Sequence, residues 1–578
     1  MLGFIIGSIV LVFLFAGIIG GIAAGFSNEP TEITVDDNSV LHLRINYEIP
    51  DRTNKGGLDF ASFGMDNAPK AIGLNDILSN IKKAAKDDKI KGILLELDLT
   101  SNSYANLEEI RKELIEFKKS KKFIVAYAEM MDEHGYYLAS TADKIYINPS
   151  GELLLNGMSS QVIYLKGAFD KLGLEPQLIR HGKYKSAGEP LIADHMSNEN
   201  RKQIESYMGS LYHHFVANIA KDRKKTEAEV ENIINKLSIR EPMDAVKLGM
   251  IDSVKYEDQL FDELKGKLGL KADDKLSLVG LGKYKNTKND ISTAEEKIAV
   301  IYCEGDIVSG KSSDGSMGSE TICEAIKKVR TDKKYKALVL RINSPGGSAL
   351  ASDVIWREIV LTKKEKPVVV SMGNVAASGG YFIAAPADVI VAQPNTITGS
   401  IGVFGLLINA QKLIKEKLGI NVETVKFGEF ADLGSPDRPL NNSEKEIIQH
   451  AIDKIYNDFV ARVAEGRKMT AAQVDSIAQG RVWSGKEAKE IGLVDEFGGL
   501  ETAIKIAAKR AKIEDYRIVN LPEQKDPFQE ILTNLKDNAS LYLLKNELGE
   551  NYTWLKQIQG AAKMQGIQAR MDYNLKVD

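Results

Sequence analysis

Short apolar runs alternate with amphipathic stretches along most of the chain, and the same order occurs twice. The first series predicts a strand at 40–46, a helix at 74–85, a buried strand at 92–97, a helix at 106–118 and a strand at 123–127. A short helix and a strand ending near Ile147 follow. The second series predicts the same elements at 298–303, 319–329, 337–342, 351–363 and 367–371, then a short helix and a strand ending near Val391. Long amphipathic helices at 198–221 and 442–465 close the two series. Buried strands alternating with helices predict an α/β fold with largely parallel sheets.

The two series are copies. Residues 72–149 align without a gap on 317–394 when 245 is added. Gly135-Tyr136-Tyr137-Leu138-Ala139 falls on Gly380-Tyr381-Phe382-Ile383-Ala384, and Ala142-Asp143 on Ala387-Asp388. So long a period is domain duplication, not a solenoid array. The expected organisation is an apolar segment at 1–28, a first domain at 38–271, a second at 296–521 and a tail at 522–578. The tail has no counterpart in the first copy. Phe528, Ile531, Leu532, Leu535, Leu541, Leu543 and Leu544 suggest amphipathic helices there, used for packing or assembly and not for chemistry.

Composition narrows the classes. A net charge of −4, with lysines and acids interspersed, argues against a nucleic-acid surface. Two cysteines, Cys303 and Cys323, cannot build a disulfide framework or a zinc site, and are expected as buried free thiols. The seven histidines lack metal-ligand spacing, so neither metal nor cofactor is expected. Residues 1–28 carry no charged side chain. About 22 helical residues span about 33 Å, enough for a bilayer core. That stretch is too long for an ordinary signal-peptide core, and no basic flank precedes it. It is expected to be an uncleaved single-pass anchor. The acidic flank that follows (Glu29, Glu32, Asp36, Asp37) permits the body to lie outside.

The copies differ where chemistry is possible. Ser378 stands where the first copy has Glu133, and Lys185 where the second has Ala431. Ser378 falls between a strand and a helix start within Val375-Ala376-Ala377-Ser378-Gly379-Gly380-Tyr381, the layout of a nucleophile elbow. Gly379 can offer its N–H to a developing oxyanion. Ser344-Pro345-Gly346-Gly347, after another buried strand, can aim a second N–H at the same point. The first copy has Thr100-Ser101-Asn102 there and has lost the glycines along with the serine. A serine nucleophile needs a base. His450 falls on an amphipathic helix, and His134 and His181 are formal candidates. A lysine serves if burial lowers its pKa, and Lys185 and Lys183 are the candidates in 181–190.

Ser-Pro-Gly-Gly, Ala-Ala-Ser-Gly-Gly-Tyr, Thr398-Gly399-Ser400-Ile401-Gly402 and Tyr184-Lys185-Ser186-Ala187 together resemble the signal peptide peptidase A (protease IV) family, in its long duplicated form. The resemblance runs from Met1 to about Gly499. It implies two tandem ClpP/crotonase-like domains, with Ser378 as nucleophile and Lys185, not Lys183, as general base. It also implies that Ser400 orients the lysine and that Gly347 and Gly379 form the oxyanion hole. The implied protein is a serine endopeptidase of the bacterial inner membrane, its catalytic domains on the periplasmic side. It would degrade excised signal peptides and other apolar peptides. The resemblance further implies a homo-oligomer, with a homotetramer expected, and leaves open whether the pair meets within one chain or between chains. Two rivals are a crotonase-type acyl-CoA enzyme, which would not need Ser378 and Lys185 together, and a non-enzymatic membrane scaffold.

Overall fold

A computed structural model describes residues 34–53, 71–100, 102–287, 293–313, 315–524 and 566–571. Each copy builds its own parallel sheet. In the first, the strands run Ser253–Val254, Lys144–Leu153, Phe123–Met131, Ile90–Leu97, Ser39–Ile45 and Leu278–Gly280 from edge to edge, every pair parallel. In the second, the order is Val482–Ser484, Ile397–Gly399, Val368–Ala377, Tyr335–Ser344, Lys297–Glu304 and Arg517–Leu521, parallel except at the first pair. The expected elements are present, most with ends shifted by one or two residues, but the strands Phe123–Met131, Lys144–Leu153 and Val368–Ala377 run four to six residues further than expected. The helix expected at 106–118 is Tyr104–Lys118, started by Ser103, whose side chain accepts from Ala105 N. Its twin is Ala349–Lys363, where Ser348 accepts from Ala351 N. Both serines satisfy a helix N–H that would otherwise lack a partner.

The cores match as well. Leu95, Ala126 and Ile145 meet Ile77, Ile81 and Ile110 in the first domain. Leu340, Val370 and Ile390 meet Ile322, Ile326 and Ile359 in the second. Each leucine, isoleucine or valine among them contributes about 1.5–3 kcal/mol on burial. Cys303 is buried as expected, whereas Cys323 is only partly so; both are free thiols.

A third sheet joins the copies. Its order is Ser316–Gly318, Asp306–Val308, Gly346–Ser348, Gly566–Arg570, Val403–Asn409 and Glu175–His181. Glu175–His181 leaves the first domain to pair antiparallel with Val403–Asn409 of the second. The strand Gly566–Arg570, from the tail, lies antiparallel between the Gly346–Ser348 and Val403–Asn409 strands. The tail's described stretch after residue 524 is therefore extended and not helical. Residues 528–544, which carry the expectation of helices, lie outside the described residues, as does the apolar segment 1–28. Among the described residues no helix is long and apolar enough to cross a membrane.

A buried ionic cluster fastens the domains together. Arg341, on the strand leading to Gly346 and Gly347, donates to Asp51 at 2.7 and 3.0 Å and to Glu109 at 2.7 Å. Both acids belong to the first domain and are almost fully buried, as is Arg341.

Candidate active site

The strand Val368–Ala377 ends in a turn at Ser378, and the helix Gly379–Ala384 begins at once. Ser378 holds φ 54° and ψ −114°, a region that side chains larger than glycine's seldom occupy. Its backbone N–H donates to Gly399 O at 2.8 Å, and its carbonyl accepts from Phe382 N at 2.8 Å. Those bonds hold the turn in its unfavourable conformation and leave Oγ above the helix start.

The facing lysine comes from the other domain. Lys185 Nζ lies 2.8 Å from Ser378 Oγ, 3.1 Å from Ser400 Oγ and 3.2 Å from Ser400 O, all within one chain. Lys185 is 1 % exposed and Ser378 is fully buried. Burial alone pushes the Lys185 pKa well below the ordinary lysine range. The three neighbours suit a neutral amine: two N–H groups can donate to the Ser400 oxygens, and the lone pair can face the Ser378 hydroxyl.

Side chains that the sequence reading did not single out hold the lysine segment in place. Gln203 donates to Tyr184 O at 3.1 Å and to Ser186 Oγ at 3.0 Å, and its own oxygen accepts from Val482 N at 3.1 Å. One amide thus ties the lysine loop to the second domain's sheet edge. Tyr184 N donates to Gln479 O at 3.0 Å. Gly480, at φ 81°, lies so close that a Cβ there would meet the Lys185 Cα at 2.6 Å. Glu189, in the motif's own segment, accepts from Ser197 N and Oγ at 2.8 and 2.7 Å.

The Gly346–Gly347 pair passes beside the same point. A methyl group on Gly346 would lie 2.7 Å from Gly379 N, so the two loops converge. Gly347 is against the Asp306–Val308 strand, where any Cβ would fall 2.2 Å from Ile307 O. Next to Ser378, Ala377 joins Ile204, Tyr207, Leu211, Ile397 and Val482 in an apolar cluster that spans both domains.

The alternative bases lie elsewhere. His181 is stacked on Tyr456, ring centres 3.8 Å apart, and its Nδ1 is 2.7 Å from Asp453. His134 is stacked on Tyr104. Lys183 is exposed beside the Tyr184 ring, and His450 is exposed on its helix. The corresponding point of the first copy is plugged. Glu133 is buried there and accepts from Asn156 N at 2.6 Å and Gly157 N at 3.0 Å. Desolvation raises its pKa against those bonds. Among the described residues no group of acids, histidines or cysteines could hold a metal ion.

Residues 116–271 and 361–514 match Peptidase family S49, once in each copy, and residues 290–398 match Clp protease. "Serine protease SPPA, chloroplastic" of Arabidopsis thaliana is 38% identical over 509 residues, spanning 87% of this chain and 74% of that protein. "Protease 4" of Haemophilus influenzae is 36% identical over 451 residues, spanning 76% and 73% respectively. "Protease 4" of Salmonella typhi is 36% identical over 464 residues, spanning 77% and 73%.

Proposed function

Because the chain belongs to peptidase family S49 and is a serine peptidase, we propose that it is a membrane-bound endopeptidase working through Ser378 and Lys185. The observation that carries this reading is the 2.8 Å approach of a buried lysine amine to a buried serine hydroxyl. Neutral Lys185 takes the Ser378 proton as Oγ attacks the peptide carbonyl carbon. The Gly347 and Gly379 N–H groups hold the oxyanion, and Lys185 passes its proton to the leaving amine. A water then gives a proton to Lys185 and attacks the acyl carbon. The acid product leaves and Ser378 regains its proton. Ser400 keeps the amine aimed by accepting its N–H groups.

The substrates are excised signal peptides and other apolar peptides. The buried apolar cluster around Ala377, next to Ser378, supports that class, since it makes the surroundings of the reacting oxygen apolar. The segment 1–28 would hold the body at the bacterial inner membrane, on the periplasmic side, where such peptides are released. A homotetramer is the assembly we expect. The test is hydrolysis of an apolar fluorogenic peptide by wild type, Ser378→Ala and Lys185→Ala. Both variants should lose turnover, and wild-type rates from either would refute the pair.

A further inference from the structure

Gln203, on the first domain's helix Asn198–Asp222, reaches both sides of the lysine site. Its amide nitrogen donates to the two residues that flank Lys185, to Tyr184 O at 3.1 Å and Ser186 Oγ at 3.0 Å, and Asn200 Oδ1 is a third acceptor at 2.9 Å. Its oxygen accepts from Val482 N at 3.1 Å. The backbone partners fix which way the amide faces, since a carbonyl only accepts and an N–H only donates. Val482 is paired with Gly399, and the neighbouring Arg481 O accepts from Ser400 N at 2.7 Å. One side chain therefore spans from the segment that carries the amine to the strand that aims Ser400. It is 2 % exposed, and its loss would leave buried backbone groups unpaired. The slot around the lysine has no slack. A methyl on Gly480 would fall 2.6 Å from Lys185 Cα, and one on Gly402 would fall 3.2 Å from Lys185 Cδ. Within such walls the anchors of the segment decide where Nζ comes to rest. The second copy supplies the contrast. Its helix Asn442–Arg467 is capped by Asn441, which accepts from Glu444 N, as Ser197 accepts from Asn200 N in the first. Aligned on those caps, Gln203 falls on Ile447, which is 44 % exposed. The copy without the lysine also lacks the amide.

We propose that Gln203 is a positioning residue for the Ser378–Lys185 pair, holding the amine between Ser378 and Ser400 by clamping its segment to the second domain. This rests on the peptidase reading of the same site. Gln203 acts through the lysine segment and not on the reacting atoms. Without the clamp the segment relaxes away from the Val482 edge, the amine draws back from Ser378 Oγ, and water enters beside it. Burial is what keeps the amine neutral, so a loosened Lys185 keeps its proton to higher pH. Misplacing a reacting group by about 1 Å can cost about 100-fold in rate.

Gln203→Met keeps the length of the side chain and removes the amide. In the full-length protein, kcat for an apolar fluorogenic peptide should fall roughly 10- to 100-fold while KM stays within about twofold. The acid limb of kcat/KM should move to higher pH, opposite to the shift that loss of a hydrogen-bond acceptor alone would produce. A purely structural role predicts something else: fewer folded molecules lower the plateau and leave the limb where it is. A wild-type kcat, or a lower plateau with an unmoved limb, would overturn the proposal. Gln203→Asn keeps the amide but is too short to reach Tyr184 and Val482 together. It should change kcat and the limb in the same directions, and it decides the matter if Gln203→Met does not fold; an unmoved limb there would equally overturn the proposal. Carbon-13 at the lysine Cε positions of the full-length protein gives a readout without turnover. The Lys185 signal, assigned by its absence from Lys185→Met, should titrate below the ordinary lysine range in wild type and at higher pH in the Gln203 variants. Coincident titrations would overturn the proposal. If wild type cleaves nothing while the titrations differ as stated, the peptidase roles of Ser378 and Lys185 fail and the clamp on the lysine stands.

Discussion

Replacing Ser400 by alanine tests whether the amine must be held as well as buried. The hydroxyl is one of three groups around Lys185 Nζ, at 3.1 Å, and both residues are almost fully shielded from water. Removing it leaves the Ser400 carbonyl, at 3.2 Å, as the remaining acceptor for two N–H groups. A buried donor without a partner costs about 1–3 kcal/mol. The carbonyl can be shared between the two N–H groups, so the lower half of that range applies. At about 1.4 kcal/mol per decade, kcat should fall roughly 5- to 30-fold. KM for an apolar peptide should hardly change. The pH dependence separates this from a packing defect. An oxygen acceptor favours the ammonium over the amine, so its loss lowers the Lys185 pKa further. The acid limb of kcat/KM should therefore move to lower pH while the plateau drops. A kcat within twofold of wild type, or a limb that moves to higher pH, would refute the reasoning.

Other outcomes follow from the same geometry. Since Lys185 and Ser378 meet within one chain, mixed Ser378→Ala and Lys185→Ala subunits should stay inactive after co-refolding; recovered turnover would place the pair between chains. Lys185→Met should be inactive yet more stable than wild type at neutral pH in urea titrations. Burial lowers the folded-state lysine pKa, so wild-type stability rises with pH from that value up to the ordinary one of about 10.4. The gap between the two proteins should close across that window, and a constant gap would contradict it. Arg341→Met strands Asp51 and Glu109 in the interior and should cost about 3–5 kcal/mol. Neutralising the acids with Asp51→Asn and Glu109→Gln should recover part of that loss in the same titration.

The duplicated α/β plan was readable because its signals are local. Apolar runs and helix periodicity are each contained in a few residues, whereas the Ser103 and Ser348 caps went unread and both helices start two residues before the expected positions. The serine turn was readable for the same reason: small residues cluster where the strand Val368–Ala377 meets its helix. The position of the lysine relative to that turn was not. It depends on Glu175–His181 crossing to Val403–Asn409, a pairing between edges distant in sequence, and no local pattern encodes a partner. Residue chemistry left His134 and His181 open as bases; the structure puts the Lys185 amine 2.8 Å from Ser378 Oγ and engages the two histidines with Tyr104 and Tyr456 instead. Gln203 was invisible because a glutamine on an amphipathic helix looks like an ordinary surface residue until its partners Tyr184, Ser186, Asn200 and Val482 are seen. The tail strand escaped because Gly-Ile-Gln-Ala-Arg is too short to display a period.

The left-handed backbone at Ser378 is a standing handicap to the fold. A protein selected for heat resistance alone would shed it, since glycine tolerates that conformation and serine does not. The first copy, with Glu133 in place of the serine, avoids that conformation. There the helix starts from Asp132 at φ −92°, an ordinary extended residue whose carboxylate caps Gly135 N at 2.8 Å. One chain therefore carries both a strained turn and its unstrained counterpart. Grafting the Asp132-Glu133 turn onto the second copy would measure, in a single protein, how much durability the strained turn at Ser378 forfeits.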